Sequence, residues 1–257
     1  MPIKVSFGPE ALYGFLLTLT RVGSALMLLP LPAFKDAVQM GRVVLVLGIT
    51  FALMPVWPAV RFNPLSGSQF LMAVLGEMGC GLLLGLAISF LNGTFQMAAQ
   101  TISMQAGFSF ASTFDPSSQA DTTVFQMLSQ LLTGILFFCL GIHRQLLRLL
   151  AHSFDVFSPE KTVLSANSVH ALAALGAMMF GTGLRFGLPV VALLLLIEVA
   201  VALLNRLHAQ LYLITLTFPA KTALSFAFLA ALLIRWPALY EQTARRVFEA
   251  LAQVGLR

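Results

Sequence analysis

Four ionisable residues stand where the surrounding sequence is otherwise apolar: Arg21, Glu77, Glu198 and Lys221, with Pro219 two residues before the last. A charge near the centre of a bilayer costs about 2.5–3.5 kcal/mol even on the most lenient insertion scale. Such groups therefore face protein or water and take partners. Glu198 and Lys221 lie on successive apolar segments, so they can neutralise one another across a helical hairpin. Solute or proton binding and contacts between subunits are the other uses open to these four residues. Enzymatic chemistry is not indicated. His143, His152, His170 and His208 do not fall at the His-Glu-x-x-His spacing that brings two imidazoles to one metal. Gly107-Phe108-Ser109-Phe110-Ala111 lacks the second glycine of a Gly-x-Ser-x-Gly nucleophile turn. No paired carboxylates and no phosphate-cradling glycine loop accompany it, and no cofactor or metal is called for.

Residues 92–122 form a second distinctive stretch. They contain no Lys or Arg, and their only charges are Asp115 and Asp121. Read as a helix, Asn92, Gln96, Gln100 and Ser103 share one stripe, while Phe95, Ala99, Ile102 and Ala106 share another. A charge-free amide and hydroxyl stripe suits a face that lines a watery passage or packs on a like subunit. Gly107 ends the pattern. Phe108, Phe110 and Phe114 then alternate with small residues up to Asp115-Pro116, where the proline disfavours helix and marks a turn. Non-helical chain at membrane depth is tolerated only when buried in protein or lining a cavity. Two readings of this segment stay open: a hydrophobic loop packed in a subunit core, or an aromatic plug that excludes water from a pore.

The elements that hold these residues follow from composition. Of 257 residues, 58% are hydrophobic and only 10% are charged, with a formal net charge of +5. A soluble domain carries about 25% charged residues, because its surface must stay wet. Soluble enzymes, nucleic-acid modules and disordered linkers are poor fits. Six segments approach the roughly 20 apolar residues of a membrane span, near 11–30, 43–60, 70–91, 124–142, 187–204 and 211–234. Residues 171–186, interrupted by Gly181, Gly183 and Arg185 and followed by Pro189, read as a half-helix leading into the fifth. The first run is too long for a leader's apolar core and reads as a retained span. With six alternating spans, most basic residues fall on the side of the two termini, which the positive-inside rule assigns to the cytoplasm. Gly81, Gly85 and Ser89, like Gly183 and Gly187, form small-xxx-small ridges for close helix approach. Cys80 and Cys139 read as small buried hydrophobes. The expected fold is all-α: a multi-span membrane-type helical protein with broken helices.

Several segments in order resemble the FliR family of export-apparatus proteins. They are Met104-Gln105-Ala106-Gly107-Phe108-Ser109-Phe110-Ala111 with Asp115-Pro116, then Gly141-Ile142-His143, Ser153-Phe154, Leu203-Leu204-Asn205-Arg206, Gln210-Leu211 and Phe218-Pro219. The likeness covers nearly the whole chain. Gly141 stands where the family has Asn or Asp, Ile142 where it has Gly, His208-Ala209 where it has Ala-Pro, and Thr217 where it has Gly. The resemblance implies a structural portal subunit of a type III protein export apparatus, flagellar by the Phe218-Pro219 and His143–Phe154 segments. Virulence-type injectisome homologues and a small-solute secondary transporter are the alternatives.

In that family the subunit joins FliP-type and FliQ-type subunits in a helical, hetero-oligomeric gate held largely above the bilayer plane. Residues 1–165 would be the FliP-like part, 166–235 the FliQ-like hairpin and 236–257 a C-terminal amphipathic helix, with Val247, Phe248, Leu251 and Val254 as an apolar stripe that could dock an FlhB-type subunit. The family's plug maps onto Gly107, Phe108, Ser109, Phe110 and Phe114, with Gln96, Gln100 and Ser103 facing the passage taken by unfolded exported proteins. Arg21, Glu77, Glu198 and Lys221 would then meet other protein rather than lipid. The implied location is the bacterial inner membrane at the flagellar basal body.

Overall fold

The computed structural model describes residues 9–29, 39–57, 67–108, 123–157, 166–207 and 214–253. Within them the chain is helical and shows no strand. Seven α-helices follow in order: α1 (Pro9–Met27), α2 (Gln39–Ala52), α3 (Gly67–Ala106), α4 (Val124–Cys139), α5 (Ile142–Val156), α6 (Ala166–Leu207) and α7 (Ile214–Gln253). A short 3-10 turn at Met54–Val56, opened by Pro55, follows α2.

The six expected spans are redrawn. Among the described residues three helices, α3, α6 and α7, are long and apolar enough to cross a membrane, and the pair α4–α5, bent by 64°, makes up to four. The apolar parts of α1 and α2 are shorter than 18 residues. The third expected span, 70–91, and the helical stripe that follows it are one helix, because α3 runs unbroken from that apolar run to Ala106. The proposed half-helix 171–186 and the fifth span are one 42-residue helix that carries Pro189 inside it. The sixth span and the tail are likewise one helix, with Pro219 and Pro237 inside. At 1.5 Å per residue, helices of this length reach roughly 60 Å, about twice the hydrocarbon thickness. Only part of each can lie in lipid. In α3 56% of the most apolar window is buried within the chain, against 17% in both α6 and α7. α3 is therefore the most enclosed of the three, and the other two leave apolar residues exposed.

The residues group into two compact units: Met1–Phe90 with Phe137–Gly176 and Arg245–Arg257, and Leu91–Leu136 with Ala177–Ala244. In the first, α1 lies against the N-terminal part of α3, and glycine sets the distance. A Cβ added at Gly85 would sit 2.6 Å from the Ala25 carbonyl oxygen, and one at Gly81 would run into Ser24 and the Arg21 carbonyl. Leu17, Val22, Ala25, Cys80, Leu84 and Ile88 fill the core. α5 is amphipathic and buries Ile142, Leu146, Leu150, Ser153 and Phe154, the i, i+4, i+8 row that one helical face presents. Cys139, expected to be buried, is exposed, because it ends α4 just before the Gly141 turn.

In the second unit the C-terminal part of α3 runs parallel to α6 and antiparallel to α7. Added Cβ atoms at Gly93, Gly183 and Gly187 would meet Met179, the Thr94 carbonyl and Thr101 respectively, so residue numbers climb together along α3 and α6. Against α7 they run oppositely, from Asn92 with Tyr240 to Gln105 with Lys221. The aromatic rings of Phe95, Phe186, Trp236 and Tyr240 cluster within 5.3–5.7 Å of Phe95. Phe95, Phe186 and Trp236 wall a small apolar cavity with Ile102, Phe125 and Leu229.

Candidate functional site

The intramembrane-type charges resolve into two ion pairs, one in each unit. Arg21 on α1 meets Glu77 on α3 through two parallel contacts, Nε to Oε2 and Nη2 to Oε1, the latter at 2.8 Å. This fork-to-fork geometry is what a planar guanidinium offers a carboxylate. Arg21 Nη1 also donates to Ser153 Oγ at 2.9 Å, and Nη2 donates to the Phe157 carbonyl at 2.9 Å. The guanidinium lies 4.0 Å from the centroid of the Phe154 ring. Arg21 is 0% and Glu77 1% exposed, so the pair is wholly desolvated. Such a pair persists only when its remaining donors are satisfied, and the additional partners come from α5 and the residue that follows it. Gly81, one turn beyond Glu77, lets the α1 backbone come close enough for the fork to form.

The second pair, Lys221 on α7 with Glu198 on α6, is made through Oε1 alone, and it joins the neutralising partners expected from the sequence. It is less enclosed: the Lys221 side chain is 9% and that of Glu198 45% exposed. The carboxylate's other oxygen accepts from Gln105 Nε2 at 3.0 Å. Lys221 Nζ also reaches the Gln105 main-chain oxygen at 3.4 Å. Three helices thus close a ring of three residues at the C-terminal end of α3.

That end has a defined stop. Gly107 adopts φ +89°, a left-handed conformation that glycine enters without a Cβ clash. The Gly107 N–H donates to the Met104 carbonyl and the Phe108 N–H to the Ser103 carbonyl, the paired 5→2 and 6→1 bonds of a Schellman cap. Phe108 then packs its ring against Phe125 and Phe226, at 5.2 and 5.9 Å between centroids. Ser109, Phe110 and Phe114, the rest of the expected plug, lie outside the described residues.

The expected polar stripe divides. Gln100 is exposed and Gln96 half-buried. Ser103 is 1% exposed, and its hydroxyl has no hydrogen-bond partner among the described residues. Asn92 turns inward and accepts a 2.7 Å bond from the Tyr240 hydroxyl. At 3.6 residues per turn, Ser103 falls about 20° from Asn92 and Gln100 about 80°, so the stripe straddles the edge of the buried face. The accessible row is Gln96, Gln100 and Met104. In the tail, Val247 and Leu251 are buried within the chain itself. Val254 lies outside the described residues. Gln105 and the Arg21–Glu77 pairing were not anticipated. A partner for Gln105 leaves no trace in linear sequence, since Glu198 and Lys221 lie 93 and 116 residues away.

Among the described residues the chain is all-α, with long apolar helices, outward apolar faces and internally paired charges, the make-up of a membrane protein. The chain matches the family of bacterial export proteins, family 1, over residues 12–247, and it belongs to that family. It is 28% identical over 236 residues to the flagellar biosynthetic protein FliR of Escherichia coli strain K12, covering 92% of this chain and 90% of that protein. To the FliR of Bacillus subtilis strain 168 it is 24% identical over 221 residues, 84% of each chain. The secretion system apparatus protein SsaT of Salmonella typhimurium is 24% identical over 194 residues, 74% of each.

Proposed function

We propose that this chain is a portal subunit of a flagellar type III export apparatus in the bacterial inner membrane, and that it passes unfolded proteins without catalysing a reaction. The observation that carries this reading is the family match from residue 12 to 247 together with full-length similarity to flagellar FliR proteins. The physical features agree with it. Helices of roughly 60 Å cannot lie wholly within about 30 Å of hydrocarbon, and α6 and α7 leave apolar faces that other subunits can cover. FliP-type and FliQ-type subunits are the partners this implies, with residues 1–165 and 166–235 as the corresponding parts of this chain. Residues 236–257 form the C-terminal segment, and an FlhB-type subunit is its candidate partner. The passage runs beside Gln96 and Gln100, and the segment from Gly107 through Phe108, Ser109, Phe110 and Phe114 plugs it. The SsaT similarity supports a related place in secretion systems of the injectisome kind as the second reading.

The test is restoration of export. Expressed in a flagellated bacterium lacking its own FliR, the chain with its cognate partners should restore secretion of hook and filament proteins. It should also co-purify in a complex several times its own mass with two other hydrophobic proteins. A chain that solubilises alone or as a small oligomer and restores no secretion contradicts the portal reading and favours a solute transporter.

A further inference from the structure

The Schellman cap at Gly107 satisfies the carbonyls of Ser103 and Met104, whereas those of Gln105 and Ala106, which have no intrahelical donor in the last turn, take no main-chain bond among the described residues. Lys221, arriving from α7, directs its ammonium at the Gln105 carbonyl. A cation at this position satisfies an orphan acceptor and meets the negative end of the helix dipole. Glu198 orients that ammonium through Oε1 and is itself held by the Gln105 side chain through Oε2. The same residue of α3 therefore contributes its backbone to Lys221 and its side chain to Glu198. Two residues later the chain leaves the helix through Gly107.

We propose that Lys221 is a remote C-cap of α3, and that the Gln105–Glu198–Lys221 ring is a positioning device fixing the point and direction in which the chain departs at Gly107 and Phe108. The Arg21–Glu77 pair does not play this part for α3, where it sits mid-helix; its guanidinium donates instead to the Phe157 carbonyl at the end of α5. The ring is built to hold but not to seal. One carboxylate is half in solvent, so the ring can open with Glu198 rehydrated and only Lys221 left poorly solvated. In function, this device sets how firmly the start of the plug is held. That consequence rests on the portal reading above, whereas the cap itself does not.

The cap is tested by hydrogen exchange on the full chain within the complex it forms, read at the Gly107 and Phe108 amides. Lys221→Met should raise exchange there about tenfold, equivalent to 1.4 kcal/mol. Gln105→Leu, at a half-buried site that tolerates the change, should raise it by roughly threefold through loss of one hydrogen bond. The exchanged pair Glu198→Lys with Lys221→Glu is the sharper variant. It restores opposite charges and with them assembly, yet a carboxylate at 221 cannot donate to a carbonyl, so exchange should stay raised. Return of exchange to the starting value in that double variant would show that charge pairing alone matters and would overturn the cap. Unmoved exchange in Lys221→Met or in Gln105→Leu would overturn it equally. The plug reading fails separately: unchanged ion conductance after deletion of Phe108–Phe110 refutes the plug whatever the exchange shows.

Discussion

The two ion pairs use the same kind of residues to opposite ends. Arg21–Glu77 is bidentate, wholly buried and joined by Ser153 and the Phe157 carbonyl. Glu198–Lys221 is made through one carboxylate oxygen, half-exposed on the acid side, and tied to the last turn of α3. Guanidinium suits the first site, because its planar fork fills a carboxylate and still has donors left for neighbours. A flexible ammonium suits the second, where one charge must divide itself between a carboxylate and a carbonyl. The contrast teaches that burial, more than charge, decides what an ion pair in an apolar helix does. Closed on every side, it locks α1 to α3; left open on one side, it becomes an adjustable cap.

Breaking the lock should have the largest effect. Arg21→Leu strands the Glu77 carboxylate in the core, at a cost of about 3–5 kcal/mol, and should remove the chain from the assembled complex as judged by co-purified mass. Glu77→Gln, which keeps the shape and some hydrogen bonds, should recover more complex than Arg21→Leu; equal loss would mean that shape rather than charge holds the helices. Next comes Gly81→Val, whose side chain must push α1 away from α3, an overpacking cost of about 1–3 kcal/mol. It should lower the melting temperature of the complex and loosen the Arg21 fork with it. Glu198→Gln should cost about 1 kcal/mol or less, since a half-exposed carboxylate is screened by solvent. A loss as large as that of Arg21→Leu would erase the distinction between lock and cap. Smallest of all, Gln100→Ala on the accessible face should leave stability within about 0.5 kcal/mol, and any effect should appear in the export rate alone.

Much of this was legible in the sequence. The charge deficit defined an all-α membrane-type chain, and single opposite charges on successive apolar runs pointed to Glu198 with Lys221. The Arg21–Glu77 pair was not readable, because 56 residues separate the two and no periodicity links their segments. The expected break at Gly181, Gly183, Arg185 and Pro189 is absent, since α6 runs through them, whereas Gly107 ends α3 as its sequence suggests. Gly183 and Gly187 act as the close-approach ridge their spacing suggests, since the α3 backbone or a threonine comes close to each, so Gly183 lets α6 pack rather than breaking it. The polar stripe was placed on one face, yet Asn92 and Gln100 sit far enough round the helix for one to be buried and the other exposed. Only the neighbouring Tyr240 and the position of α7 decide which is which.

On the proposed reading the chain helps form a passage closed by the segment that leaves α3 at Gly107. Ion conductance of the assembled complex in a planar bilayer tests it most directly, comparing the intact chain with one lacking Phe108–Phe110. The account predicts a nearly silent intact complex and a clear ionic current from the deleted one, at equal amounts of complex. Equal conductance from both, with assembly intact, would contradict it.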